Sequence, residues 1–160
     1  MKLLDLLKGV SFEVLSGSQD VEINHIQYDS RKIKDGDLFV CLTGFEVDGH
    51  DYAFKAIEAG AKVILCEKNI NIDNEEVTVL LVKEGRKALA TMSANYYDHP
   101  VKKLKLIGVT GTNGKTTTVY LLKSMLEKAG KKVGLVGTIA NYIGDKKVKS
   151  ERTTPESLEL

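Results

Sequence analysis

Cysteine is scarce in this sequence, neither sign of charge dominates, and no apolar run is long enough to cross a bilayer. Cys41 and Cys66 are the only two cysteines. Each lies in an apolar, strand-like run, Phe39-Val40-Cys41-Leu42 and Val63-Ile64-Leu65-Cys66, and they form no Cys-x-x-Cys pair. That pattern argues against a disulfide framework or a thiolate metal site and points to two buried free thiols in a reducing compartment. The 23 basic and 22 acidic residues are interspersed, so the formal charge of +1 argues against a nucleic-acid surface. Met1-Lys2-Leu3-Leu4-Asp5-Leu6-Leu7-Lys8 has too short an apolar run for a signal sequence, and Asp5 interrupts it; it reads as a short amphipathic helix. The expected location is the cytoplasm. Asp-x-x-Gly and Asn-Lys-x-Asp, the signatures of a GTPase switch, are both missing.

What is present is an alternation of strands and helices, an α/β pattern. Strands are expected around Val21, Ile23 and Ile26, over 37–42, over 62–66 and over 77–82. Helices are expected over 51–59, with Ala53, Phe54, Ala56 and Ile57 grouped at helical spacing, and over 86–97. Gly60 and Gly130 are each placed to end a helix in the left-handed conformation. Pro100 ends the 86–97 helix, and the domain boundary is placed there. Residues 1–100 form a small α/β domain. Residues 101–160 begin a second one, with strand 104–109, helix 116–129, strand 133–139 and a hairpin turn at Gly144-Asp145-Lys146-Lys147. A parallel sheet needs several βα units to cover both faces, and barely two fit after Pro100. The chain is therefore expected to be a fragment holding one small domain and the opening of a larger, mostly parallel one.

The stretch around which the rest is organised is Gly108 to Thr118, reading Gly-Val-Thr-Gly-Thr-Asn-Gly-Lys-Thr-Thr-Thr. Leu104, Leu106, Ile107 and Val109 precede it, and Val119, Leu122, Leu126 and Ala129 follow at helical spacing. Strand, glycine-rich turn and helix is the setting of a phosphate-binding loop. Gly111 and Gly114 let the backbone curl with positive φ and approach a ligand closely. The amides of Gly111, Thr112, Asn113, Gly114, Lys115, Thr116 and Thr117 then face a polyphosphate at the positive end of a helix dipole. Lys115 neutralises the β- and γ-phosphates, and the Thr116 hydroxyl is placed to ligate Mg²⁺. A nucleoside triphosphate, ATP, is the expected ligand. Val109 departs from the general pattern, which has glycine at that position.

The run 110–118 resembles the ATP loop of the Mur ligases, the family that builds the peptidoglycan stem peptide, and that family's loop makes the same departure at Val109. Asp29-Ser30-Arg31, Gly36-Asp37-Leu38-Phe39-Val40 and Asp48-Gly49-His50-Asp51 look like the family's uridine-nucleotide-binding N-terminal domain. Thr153-Thr154-Pro155-Glu156-Ser157 is similar to the members that add a diamino acid. The resemblance covers essentially all of this chain but about the first third of the family's usual length. It implies an ATP- and Mg²⁺-dependent acid–amino-acid ligase joining meso-diaminopimelate or L-lysine to UDP-N-acetylmuramoyl-L-alanyl-D-glutamate through an acyl phosphate. It further implies that Tyr28 and Ser30 touch the uridine nucleotide beside Phe45, Glu46 and Val47, and that Thr153 and Thr154 contact the muramoyl-dipeptide end. Arg152 stands where many members carry asparagine. The expected partners are small molecules only, with no nucleic acid or membrane, and the expected state is a monomer; this stretch alone is expected not to ligate.

Each of these residues has a plainer reading. Asp29-Ser30-Arg31 is also a turn with a local side-chain hydrogen bond. Thr154-Pro155 is also a helix start. His50 faces ligand or simply opens a helix. The dipeptide-adding ligase of the same family, folylpolyglutamate synthetase, a phosphate-loop regulator and an isolated UDP-sugar-binding module are the rival functions.

Overall fold

The computed structural model describes residues 1–44, 47–148 and 155–160, and these divide into two units, Met1–Lys102 and Lys103–Leu160. The first is built on a five-stranded sheet in the order β1-β5-β4-β3-β2. Its strands are β1 (Glu13–Ser16), β2 (Ile26–Gln27), β3 (Leu38–Val40), β4 (Val63–Cys66) and β5 (Thr78–Leu81). β2 to β5 run parallel, and β1 adds an antiparallel edge on β5. Among its described residues the α-helices are α1 (Leu3–Leu6), α2 (Ala53–Glu58) and α3 (Gly85–Tyr96).

β3 and β4 are buried at every position, as a parallel strand covered on both faces must be. One face carries Phe39, Cys41, Ile64, Cys66 and Val79 into a cluster with Ala53 and Ala56 of α2. Side chains alternate along a strand, so Leu38, Val40, Val63, Leu65 and Leu80 project to the opposite face. α1 and α3 pack together, burying Leu3, Leu6, Leu89 and Met92. Both thiols are buried and free. Burial pushes the Cys66 thiol up to about 11 and the Cys41 thiol higher still, so neither is a nucleophile at neutral pH.

Several sequence expectations change in detail. Around Val21–Ile26 only Ile26–Gln27 joins the ladder, because Val21 and Ile23 bond instead to Leu3 and Met1. β1 was not anticipated; its ladder with β5 shifts register between Val14 and Ser16, which interrupts the alternation that marks a strand. The 51–59 helix opens as a 3-10 turn over Gly49–Tyr52. Phe54, grouped with the apolar side of that helix, is 55% exposed.

The helix ends follow one rule. Gly60 N–H donates to Ile57 O and Ala61 N–H to Ala56 O, both at 2.9 Å. Gly130 and Lys131 repeat the pattern on Glu127 and Leu126 at 2.9 and 3.0 Å. Both glycines have positive φ, +107° and +74°. Each is a Schellman termination, which satisfies the last carbonyls of the helix. α3 ends the same way with Asp98 in the left-handed position, φ 56°, so the chain turns before Pro100 is reached. The two glycines differ in their surroundings. A Cβ on Gly60 would lie 2.8 Å from the Asp35 Cα, whereas one on Gly130 meets nothing within 4 Å. Gly130→Ala is therefore expected to cost about 1 kcal/mol of backbone strain, and Gly60→Ala about 2–3 kcal/mol, because the backbone of Asp35 must also move. Chemical denaturation of the two variants checks the order, and equal losses would contradict it.

In the second unit, α4 (Lys115–Lys128) leads to a three-stranded antiparallel sheet of β6 (Gly134–Leu135), β7 (Asn141–Ile143) and β8 (Lys146–Val148). The turn at Gly144-Asp145 joins β7 to β8 as the sequence predicts. Residues 104–109 do not join a ladder, and strand 133–139 shrinks to two residues. Leu104, Leu106 and Ile107 are 63%, 71% and 55% exposed. A strand exists only through its neighbours, and among the described residues none lies beside this segment. The α/β class with a mostly parallel sheet holds, but the parallel ladder is in the first unit; in the second, where it was expected, the described strands pair antiparallel. No helix among the described residues is long and apolar enough to cross a membrane.

Candidate functional site

Because β2 to β5 are parallel, the segments leaving them emerge along one carboxyl edge of the sheet, where open α/β sheets bind ligands. Tyr28 and Ser30 follow β2. Val47 sits in the loop after β3. Glu67 and Lys68 follow β4, and Lys83 to Lys87 follow β5. The sequence-predicted Tyr28, Ser30 and Val47 thus come to adjacent strand ends. Phe45, Glu46, Arg152, Thr153 and Thr154 lie outside the described residues.

At the end of β2, the Asp29 carboxylate accepts from the Arg31 backbone N–H at 3.0 Å and caps the short 3-10 turn Ser30–Lys32. The Arg31 guanidinium donates to the same carboxylate at 2.9 and 2.7 Å. That side-chain pairing, more than the backbone bond, brings the Asp29 carboxyl down to about 2. The plainer reading of this stretch is therefore realised. It also fixes Ser30, which is 8% exposed, while Val47 is 53% exposed.

His50 sits at the start of the 3-10 turn Gly49–Tyr52. It is buried, and its Nε2 accepts the Glu67 backbone N–H at 2.9 Å. A ring nitrogen that accepts carries no proton, so the proton is on Nδ1, which donates to the Asp48 Oδ1 at 2.5 Å. Lys68 Nζ donates to the other Asp48 oxygen at 2.6 Å. The ammonium and the His50 groups hold the Asp48 carboxyl well below the usual carboxylate range.

Glu67 works on the opposite side of the same loop. One carboxylate oxygen accepts the Gly85 N–H at 2.6 Å, at the start of α3, and the other accepts the Thr43 hydroxyl at 3.1 Å. Arg86 Nη1 donates to the Thr43 carbonyl at 2.9 Å. Glu67, Lys83, Glu84, Arg86 and Lys87 line an open, polar groove of about 500 Å³ beside them. Sequence reasoning missed Glu67, Lys68 and Arg86. The available signal was topological: residues directly after a buried parallel strand lie on the ligand edge.

In the second unit, Gly111 and Gly114 have φ of 150° and 77°. A Cβ on Gly114 would meet no atom of the chain within 4 Å and one on Gly111 only the Asn113 carbonyl at 3.6 Å, so within the chain itself these glycines serve conformation. Gly114 precedes α4, and no side chain caps the helix. The first intrahelical bond here runs from Thr118 N–H to Gly114 O at 2.9 Å, leaving the amides of Lys115, Thr116 and Thr117 as the orphan donors of the first turn. Lys115 Nζ folds back over the loop, donating to the carbonyls of Gly111 at 2.5 Å and Thr112 at 3.2 Å. An ammonium beside free amides at a helix mouth fits a polyphosphate. Among the described residues no cluster of three His, Cys, Asp or Glu could hold a metal ion.

Residues 22–97 match the Mur ligase family, catalytic domain, and residues 109–160 the Mur ligase middle domain. The chain is 57% identical over 160 residues to the UDP-N-acetylmuramoyl-L-alanyl-D-glutamate–2,6-diaminopimelate ligase 1 of Clostridium acetobutylicum, covering 100% of this chain and 33% of the relative. It is 53% identical, with the same coverage, to the ligase of that name without the numeral from Clostridium perfringens. Among solved structures, a MurF ligase of Thermotoga maritima in complex with ADP aligns with a TM-score of 0.51 and 28% identity, over 68% of this chain and 24% of that one. A UDP-N-acetylmuramoyl-L-alanyl-D-glutamate–2,6-diaminopimelate ligase aligns with a TM-score of 0.66 and 24% identity, over 86% and 28%, and supports the fold alone. The chain spans about a third of the length of the curated relatives it matches.

Proposed function

Because the chain belongs to the Mur ligase family, we propose that it carries the uridine-nucleotide-binding and phosphate-loop parts of an ATP-dependent ligase that joins a diamino acid, meso-diaminopimelate, to UDP-N-acetylmuramoyl-L-alanyl-D-glutamate. The observation that carries the reading is the uncapped α4 mouth with Lys115 folded over the carbonyls of Gly111 and Thr112. In the proposed reaction the terminal carboxylate of the dipeptide attacks the γ-phosphorus of ATP. The bond to the bridging oxygen breaks, ADP leaves, and an acyl phosphate forms. The amine of the diamino acid then displaces inorganic phosphate and loses a proton as the amide forms.

This chain contributes alignment and charge neutralisation, the main requirements of phosphoryl transfer. Lys115 and the amides of 111–117 would draw negative charge from the β- and γ-phosphates. The Thr116 hydroxyl would hold Mg²⁺, which supplies further neutralisation. Tyr28, Ser30 and Val47 would receive the uridine nucleotide at the carboxyl edge of the first sheet.

Amide chemical shifts of the ¹⁵N-labelled chain test the assignment. UDP is expected to move resonances at 28–31 and 47–50, and ATP with Mg²⁺ those at 111–118. Nucleotides that perturb neither set, or both sets alike, would defeat it. Tighter binding of the UDP-muramoyl-tripeptide than of the dipeptide would favour the dipeptide-adding ligase instead.

A further inference from the structure

Thr43 and Asp48 pair as an isolated antiparallel bridge, and Gly44 N–H donates to Val47 O at 3.0 Å, so the segment after β3 leaves and returns through a narrow neck. Two consecutive residues of one strand end grip the two sides of that neck. Glu67 takes the outgoing side through the Thr43 hydroxyl. Lys68 takes the returning side through Asp48, and the Glu67 amide reaches the same side through His50. Gly49 allows the close approach: a Cβ there would lie 2.7 and 2.8 Å from the backbone N and O of Leu42. Glu67 is itself anchored on the first amide of α3, and Gly85 leaves room for it, since its Cβ would lie 3.1 Å from the carboxylate.

Neither Lys68 nor Asp48 belongs to a strand of the sheet. Their bonds converge on a solvent-facing neck, where Lys68 and Asp48 are 57% and 28% exposed. Ion pairs at such exposure add little stability. An arrangement of charges that adds little to folding yet determines where a loop sits is suited to pre-organisation. Binding is weakened by the fraction of time that a loop spends away from its competent position, and a clamp removes that loss.

We propose that Glu67, Lys68, Asp48 and His50 form a positioning set that holds the neck, residues 43–44 and 47–50, at the carboxyl edge, so that Val47 meets the uridine nucleotide in a fixed place. The inference rests on the uridine reading above. The set acts through the loop and does not touch the reacting atoms.

The test uses the 160-residue chain and its Lys68→Met and Lys68→Arg variants. Without ligand, Lys68→Met is expected to speed amide hydrogen exchange at Gly44 and His50 roughly three- to tenfold while leaving Cys41 and Val82, bonded across the sheet, unchanged. Its Kd for UDP is expected to rise roughly three- to tenfold with little change in thermal midpoint. Lys68→Arg, which keeps the charge on Asp48, is expected to restore both within about twofold. Unchanged exchange at Gly44 and His50 would overturn the clamp. Faster exchange with an unchanged Kd would overturn its role in binding. A wild-type chain that does not bind UDP would instead sink the uridine reading, and the positioning role with it, while the exchange data still judge the clamp by itself.

Discussion

Lys115→Met is expected to weaken binding of ATP with Mg²⁺ about a hundredfold. Lys115 is the first residue of α4, and its ammonium already lies over the loop carbonyls of Gly111 and Thr112, where a polyphosphate would meet it. Charge-assisted hydrogen bonds to phosphate, made where free amides already face the ligand, are worth roughly 2–3 kcal/mol, or about 30- to 150-fold in affinity. Helix content should not change, because methionine is as good a helix former and the residue buries nothing. Lys115→Arg should fail to rescue, since a planar guanidinium cannot replace a compact ammonium inside a tight loop. Calorimetric titration with ATP and Mg²⁺ checks this, with far-ultraviolet circular dichroism as the control. An affinity within threefold of wild type would remove the phosphate loop from the proposed function.

The loop was legible because its chemistry is local. Glycines that allow positive φ, a lysine and a hydroxyl within nine residues carry the signal themselves, and Gly111 and Gly114 take the conformations their spacing implies. The buried strands of the first unit were legible for a related reason: Phe39-Val40-Cys41 and Val63-Ile64-Leu65-Cys66 are apolar without alternation, as strands covered on both faces must be, but that they pair in parallel was not read there. Segment 104–109 shows where this reasoning stops. Leu104, Leu106 and Ile107 have the composition of a buried strand, but a ladder needs a neighbour, and composition does not say where that neighbour lies. The neck at 43–44 and 47–50 was illegible for the opposite reason. Thr43, Asp48, Glu67 and Lys68 are ordinary polar residues with sequence separations of 20 or more, and only the crossover from β3 to β4 brings them together. His50 was noticed, but its role followed from a single backbone amide, Glu67 N–H, which no side-chain pattern advertises.

Phe39→Ala is expected to destabilise the first unit by about 3–5 kcal/mol, whereas Phe54→Ala should cost less than about 1 kcal/mol. Phe39 is 1% exposed on the interior strand β3, with β2 and β4 parallel on either side. Its face of the sheet is covered by α2 through Ala53 and Ala56, both fully buried. Alanines bring the helix backbone close to the sheet, and the aromatic ring is the largest side chain of the buried cluster between them. Truncation leaves a cavity walled by helix backbone and by strands held in their ladder, and neither wall can collapse into it. Phe54, one residue along the same helix, is 55% exposed and leaves no cavity. A domain of this size has about 5–15 kcal/mol to lose, so Phe39→Ala should lower the thermal midpoint by roughly 15–30 °C. Differential scanning calorimetry of the pair decides the matter. Comparable losses from the two phenylalanines would mean that α2 does not pack on β3 through its alanine face, and the assignment of the two faces of the sheet would have to be reversed.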